Sequence, residues 1–359
     1  MRIGIVTFQR ALNHGASLQM YGLYRTLKKM GHDVKVIDYI SDHQSKATLK
    51  KKIADTLNVA HDRRKAEQYR KFREEFLGAD ITEPLAPDQL GVLNDRFDLF
   101  IAGSDQIWNN HIGFFEPFYF LCFVDDDRKK YSYAVSFNLK GVPESKEAAY
   151  TERLSSFMRF SVREPDGVEA VKKLTGRDAE IHIDPSLLLN TDEWLSCIKG
   201  VEVPSTDKYI VIYTVGKPVA LVEKAKELAK KKGLKLFYMS DFYGHLDVKH
   251  LRGRGPLEFL AAIANAEYVF TNSFHGTAFS INFHRPFFTE CQTQNRYNFR
   301  SESLMRKCGL FDRDLSNNPD ALALADKPVD WERAEASLNE ERRRSAEYFE
   351  SIVSEVSSK

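Results

Sequence analysis

Short apolar runs alternate with helix-period stretches along most of this chain, and that alternation constrains the fold more than any other feature. The opening residues show the unit. RIGIVTF is an apolar strand, NHGASLQMYGLYRTLKKMG carries apolar residues at Leu18, Tyr21, Leu23, Tyr24 and Leu27, and HDVKVIDYI is the next strand. Gly31 stands where a helix C-cap belongs. Strand–helix–strand units of this length forecast a parallel sheet with helices on both faces.

Residues 41–80 interrupt the rhythm with KATLKKKIADTLNVAHDRRKAEQYRKFREEFLG, which is helical in composition and dense in Lys and Arg. It reads either as a solvated face or as a contact for a membrane surface or an anionic carrier lipid. The alternation then resumes. FDLFIAGS, KYSYAVSF, FSVRE and EIHID are strands, with helices over SKEAAYTERLSSFMR and DGVEAVKKLTG. Pro185–Asp207 lacks strong periodicity and is the natural linker. Beyond it, the strands DKYIVIYTVG, LKLFYMS, EYVFTN and RPFFTE alternate with the helices KPVALVEKAKELAKKKG, GPLEFLAAIANA and HGTAFSINFH. A long amphipathic helix begins at DWERAE.

The expected organisation is therefore an α/β protein of two Rossmann-like domains facing a cleft. Residues 1–190 form the first domain, with the basic insertion 41–80, and residues 207–325 form the second. Residues 326–359 form a helix that packs back on the first. Lys+Arg number 52 against Asp+Glu 51, so no global field draws the chain to nucleic acid. Cys122, Cys197, Cys291 and Cys308 are scattered without metal-type spacing and read as free thiols, and no metal is expected. No signal-peptide pattern opens the sequence, and no apolar run approaches the roughly 20 residues that span a bilayer. The expected location is the cytoplasm, with peripheral contact at the inner face of the membrane as the alternative to a wholly soluble life.

Ligands in such sheets bind outside the carboxyl ends of the strands, where loops lead into helix N-termini, so the residues after each strand are the candidates. After the first strand, Asn13, His14 and Gly15 open a helix whose first N–H groups can bind an anion; a plain N-cap is the alternative. After FDLFIA, Ser104, Asp105 and Gln106 offer polar groups. Asp105 reads as a general base, as an orienter of a hydroxyl, or as a turn cap, and Trp108 as packing or as a plate for a sugar. Arg163 and Glu164 end a strand with two charges, which pair with each other or leave Arg163's fork for a carboxylate or phosphate. In the second half, Gly216 with Lys217, and Ser240 with Asp241, follow strands.

The stretch TNSFHGTAFSINFHRPFF places polar residues at a strand end inside an apolar run. Asn272 or Ser273 caps the next helix, Gly276 lets a bound group approach the backbone, and Thr277 adds a hydroxyl. His275 in the first turn sits in positive potential, and an arriving anion favours its protonated form. A histidine satisfied by a backbone carbonyl is the alternative, and His284 reads as structural.

Four segments together resemble the polysaccharide pyruvyl transferase family: GIVTFQRALNHGASLQMYGLYRTL, FDLFIAGSDQIWN, FSVREPDGVEAVKKLTG with IHIDPSLLL, and TNSFHGTAFSINFHRPF. The resemblance implies a two-domain fold like that of GT-B glycosyltransferases. It also implies transfer of pyruvate from phosphoenolpyruvate (PEP), as donor substrate, onto two hydroxyls of a sugar. The cyclic ketal so formed belongs to capsule, exopolysaccharide or cell-wall glycan. No other cofactor is implied; the acceptor is a free sugar or a lipid-linked oligosaccharide. By resemblance His275 is acid or phosphate ligand, Arg163 clamps PEP and Asp105 orients or deprotonates the acceptor. Many members carry Arg two residues before the histidine, where this chain has Ser273, so Lys217 or Arg254 is expected to supply the missing charge. A GT-B glycosyltransferase using a nucleotide sugar and a non-catalytic glycan-binding protein are the competing readings.

Overall fold

The computed structural model describes residues 1–41, 59–109, 115–137, 142–240, 247–293 and 296–358. Much of the basic run 41–80, and Asp241, lie outside them. The chain divides into two compact units: residues 1–59, 73–188 and 341–359 form unit 1, and residues 60–72 and 189–340 form unit 2. Unit 1 starts with β1 (Arg2–Val6), α1 (His14–Lys29) and β2 (Asp33–Val36). A helix, α2 (Val59–Phe76), whose residues 60–72 belong to unit 2, then leads to β3 (Leu99–Ala102) and β4 (Lys130–Ser132). The remaining elements of this half are α3 (Glu144–Leu154), β5 (Phe160–Val162), α4 (Pro165–Thr175) and β6 (Ala179–Ile181).

The strands pair in parallel in the order β2–β1–β3–β4, and β5 pairs in parallel with β6. Bridges Tyr131–Arg159 and Val135–Val162 carry the pattern from β4 to β5. All these strands run the same way, so their carboxyl ends deliver Thr7, Ser104, Tyr133, Arg163 and His182 to one edge. Around Trp108 an aromatic core of Phe120, Phe137, Phe157 and Phe160 packs on the sheet. Gly22 of α1 fixes a close contact: a Cβ there would lie 2.1 Å from the carbonyl oxygen of Pro185. The helix can meet the turn after β6 only without a side chain at this position.

Unit 2 contains α5 (Thr191–Cys197), β7 (Tyr209–Tyr213), α6 (Leu221–Lys232), β8 (Lys235–Met239) and β9 (Lys249–His250). It continues with α7 (Pro256–Ala264), β10 (Tyr268–Thr271), α8 (Phe274–Asn282), β11 (Phe287–Thr289) and α9 (Phe299–Lys307). The parallel sheet runs β11–β10–β7–β8–β9. β7 is apolar and buried along its whole length, as expected of a central parallel strand covered on both faces. The 185–207 segment, weakly periodic in sequence, holds a 3-10 turn and α5, whose Trp194 is buried against Phe279. The last helix, α10 (Trp331–Ser357), begins among unit 2 residues and ends among those of unit 1.

The end of α10 is tied to unit 1 by polar bonds inside an apolar contact. Tyr348 Oη donates to the Ser132 carbonyl at 2.8 Å, and Tyr133 Oη lies 2.9 Å from Ser345 Oγ. His182 is enclosed by Tyr133 and Tyr348, with Nδ1 2.8 Å from Ser161 Oγ. Burial disfavours the imidazolium and lowers its pKa to about 4. In the unfolded chain the group titrates near 6.5, so the folded state binds this proton less well. His182 therefore costs nothing above pH ~6.5 and takes away roughly 3 kcal/mol as the pH falls from there through 4. Urea midpoints between pH 7.5 and 4.5 are expected to fall more steeply for the wild type than for His182→Gln. Equal slopes would show that His182 is not the group being titrated.

Candidate functional site

In unit 1 the strand-end residues form one buried polar chain. Gln19 Nε2 donates to Thr7 Oγ1 at 2.9 Å, and Thr7 Oγ1 donates to the Ser104 carbonyl at 3.1 Å. Ser104 Oγ donates to Asp184 Oδ2 at 3.3 Å, and the backbone N–H of Ser186 donates to Asp184 Oδ1 at 2.9 Å. Arg163 Nη1 donates to the same Asp184 carboxylate, and Nε donates to Glu164 at 3.0 Å. Burial opposes the charge on Arg163, but Glu164, Asp184 and Asp105 outweigh it, so its pKa is raised and the guanidinium stays charged. The strand-end arginine thus pairs with its neighbour Glu164 and with a carboxylate 21 residues away.

Asp105 sits beside this cluster with φ of 71°, a left-handed conformation that non-glycine residues seldom hold. Its Oδ1 accepts the Gln106 N–H at 2.9 Å and its carbonyl accepts the Ser136 N–H at 3.0 Å. The turn-cap reading of Asp105 is thus what the geometry displays. Gln106 Oε1 accepts from Asn109 at 2.9 Å. Trp108 is fully buried and stacked on Phe120, with Nε1 donating to the Tyr119 carbonyl at 3.1 Å, so it is packing and offers no face to a sugar. Asn13 caps α1, accepting the Ala16 N–H at 3.1 Å, and His14 and Gly15 are buried in the first turn.

Unit 2 is organised by the starts of its helices. A helix leaves its first N–H groups without intrahelical partners, and they carry partial positive charge. Glu290, after β11, closes α6: its carboxylate accepts from Val219 at 2.8 Å, Ala220 at 2.6 Å and Leu221 at 3.1 Å. Asn190 and Glu193 form a capping box on α5. Asn298 caps α9, Asp330 serves α10, and Glu258 places a carboxylate in the first turn of α7. The α8 start differs from all of these: no side chain caps it and no acidic residue lies in its first turn.

That start carries His275, 7% exposed, with its ring 5.1 Å from that of Phe274. Ser273 donates its N–H to Thr271 Oγ1 at 3.0 Å, and its carbonyl accepts from Thr277. Asn272 reaches sideways: its Oδ1 accepts the Val215 N–H at 2.8 Å, which pins the loop between β7 and α6. Thr277 is fully buried, with Oγ1 3.0 Å from Thr289 Oγ1 and 3.4 Å from Ser301 Oγ, and so belongs to the interior. Gly276 is required by packing, since a Cβ there would lie 2.2 Å from Thr271 Oγ1. Lys217 is exposed at the loop tip beside Gly216, whose φ is 73°. Arg254 faces Glu202 at 3.7 Å, and His284 stacks on Trp331 near Glu335.

Sequence reading missed Glu290, which looked like the end of an apolar strand, and Arg300 of α9, whose guanidinium lies 5.6 Å from the centre of the Phe274 ring. Among the described residues no group of acidic, His and Cys side chains could hold a metal ion. None of their helices is long and apolar enough to cross a membrane.

Two parallel α/β units of Rossmann-like form define the GT-B class of fold. The solved structures agree over nearly the whole chain. UDP-N-acetylglucosamine 2-epimerase from Rickettsia bellii is 10% identical, with a TM-score of 0.56, covering 99% of this chain and 97% of its own. A putative UDP-N-acetylglucosamine 2-epimerase from Listeria monocytogenes is 12% identical, with a TM-score of 0.51, covering 95% and 90%. The enzyme from Neisseria meningitidis, bound to UDP-GlcNAc, is 12% identical at a TM-score of 0.50, covering 99% and 94%. No curated protein matches the sequence. The pattern of the polysaccharide pyruvyl transferases matches residues 13–289, which include α1, Asp105, Arg163 and the α8 start. The chain belongs to the polysaccharide pyruvyl transferase family.

Two substitutions test the structural roles assigned above. Arg163→Ala leaves the Asp184 carboxylate buried without its cation and is expected to destabilise unit 1 by about 3–5 kcal/mol. A urea midpoint equal to wild type would show that the pair is not an interior one. Gly276→Ala forces α8 away from Thr271 and is expected to cost about 1–3 kcal/mol, read as a lowered melting temperature. An unchanged melting temperature would mean that α8 and β10 are not so close.

Proposed function

We propose that this protein transfers the pyruvyl group of PEP onto two hydroxyls of one glycan sugar, forming a cyclic ketal and releasing phosphate. The observation that carries the reading is the α8 start, which lacks the side-chain cap and first-turn acid found at the other helix starts of unit 2. Such a start suits a phosphate, which can accept several backbone N–H groups at once. Glu290 already fills the start of α6 with a carboxylate, so unit 2 is furnished for one compact anion rather than a chain of phosphates spread over two helices.

The chemistry follows from what PEP is. Protonation of its methylene carbon makes C2 electrophilic, and a sugar hydroxyl adds there. A second hydroxyl then displaces phosphate from the same carbon. The two hydroxyl protons end, in net terms, on the new methyl group and on phosphate. In this reading His275 is the acid or phosphate ligand, held at the α8 start beside the group it serves. Asp105 orients the acceptor hydroxyl from unit 1. Arg163, enclosed by Glu164 and Asp184, acts in support by balancing the charge of those carboxylates. The acceptor is a sugar of a capsule, exopolysaccharide or cell-wall glycan, free or lipid-linked, handled at the cytoplasmic side of the membrane.

The purified protein incubated with PEP and a panel of free and lipid-linked oligosaccharides is expected to release phosphate and add a pyruvyl ketal, detected by mass spectrometry. In D2O the ketal methyl group is expected to carry one deuterium. His275→Ala is expected to lower kcat by a factor of about 10²–10⁴ while the protein stays folded. Turnover of a nucleotide sugar with no turnover of PEP would sink the reading. So would a His275→Ala protein with wild-type kcat.

A further inference from the structure

Unit 1 contains an acidic side chain that its own fold leaves without a counterpart. Glu116 is 9% exposed, and among the described residues neither of its carboxylate oxygens has a hydrogen-bond partner. By contrast, Asp184 is bonded to Arg163, Ser104 and Ser186, and Glu290 to three backbone N–H groups. A buried carboxylate left unpaired costs stability, so its presence in a native fold calls for a ligand that pairs with it.

Glu116 opens a 3-10 turn, Pro117–Phe120, and its carbonyl accepts the Tyr119 N–H at 3.2 Å. The turn packs on the segments that leave β1 and β2. The Tyr119 ring meets that of Phe8, just beyond β1, edge-on at 5.0 Å, and the Phe118 ring stacks on that of Tyr39, just beyond β2, at 4.0 Å. Glu116 therefore stands at the carboxyl edge of the sheet, where parallel α/β folds bind their ligands. Phe8 and Phe115 are only partly buried, so this aromatic corner is not sealed from the edge. Burial, with the Glu116 carboxylate second, raises the pKa of the Tyr119 hydroxyl, which places that side chain beside the carboxylate.

We infer that Glu116 takes the ammonium group of an amino sugar in the acceptor glycan, beside the Tyr119 ring. The inference rests on the pyruvyl-transfer reading for the ligand being a glycan; the need for a cation comes from the carboxylate itself. Neutral hydroxyls would bond both oxygens and still leave a buried charge uncompensated, whereas an ammonium supplies three donors and the opposite charge together. An aromatic ring at the same place favours the same ligand, because a cation is attracted to its face. A metal ion would need further acidic, His or Cys ligands, and no such group forms among the described residues.

The test is binding of glucosamine, galactosamine and mannosamine, each beside its N-acetyl form, by calorimetry at neutral pH to the wild type, Glu116→Gln and Glu116→Asp. Acetylation keeps the sugar ring and removes the charge. The wild type is expected to bind at least one amino sugar about tenfold more tightly than its N-acetyl form. Glu116→Gln, of the same size, is expected to abolish the preference, and Glu116→Asp to keep part of it. Loss of an unpaired buried charge is also expected to raise the melting temperature of Glu116→Gln by about 2–4 °C, a readout that needs no ligand. A Glu116→Gln protein that melts below the wild type, or does not fold, shows that the carboxylate already serves the fold and overturns the inference. So does an amino-sugar preference that is absent from the wild type or survives in Glu116→Gln. In those cases turnover of PEP with a neutral acceptor leaves the pyruvyl reading standing. Amino-sugar binding through Glu116 in a protein that does not turn over PEP supports the site and overturns that reading.

Discussion

The unpaired N–H groups at helix starts are the constraint around which both units are arranged. Parallel strands must each be followed by a helix, and every such helix begins with donors that need an acceptor. The chain supplies most of those acceptors itself. Glu290 binds three successive N–H groups before and at the start of α6, Asn190 caps α5, Asn298 caps α9 and Asn13 caps α1. Against that background the α8 start stands out, because its sequence, Ser273-Phe274-His275-Gly276, contributes neither cap nor carboxylate. The same stretch holds the buried His275 and lies beside Arg300. A helix start without a side-chain cap or first-turn acid, with a histidine in its first turn, is the physical basis for the donor reading.

Unit 1 follows the opposite logic. There the strand-end arginine is enclosed by carboxylates from Glu164 and Asp184, so charge is balanced within the fold before any ligand arrives. Beside it lies the left-handed turn at Asp105, whose backbone conformation is set by hydrogen bonds to Gln106 and Ser136. A non-glycine residue at positive φ carries strain of order 1 kcal/mol and persists where its surroundings fix it.

Much of the fold was legible in the sequence because parallel strands buried on both faces are apolar throughout. IGIV, LFIA, YIVIY and YVFT show this without ambiguity. The places that were not legible have identifiable reasons. α9 follows a polar stretch, so its periodicity had no frame. α5 lies in a segment whose few apolar residues pack on α8, through Trp194 and Phe279, rather than on a sheet. In the site, the position of His275 after a strand was legible, but the direction of Gly276's missing side chain depends on helix phase and the closeness of Thr271. Asp184 lies 21 residues from Arg163, and only the pairing of β5 with β6 brings them together. Arg300 has no strand-end signature at all, and only the fold brings it 5.6 Å from the Phe274 ring.

The central claim is that the α8 start is where the phosphate of the donor binds. A crystal structure of the protein with PEP tests it most directly. The account predicts phosphate oxygens about 3 Å from the backbone N–H groups of the Phe274–Gly276 turn, with the His275 ring against the same ligand. Phosphate bound instead at the start of α6 with Glu290 displaced, or at the start of α1, would contradict it.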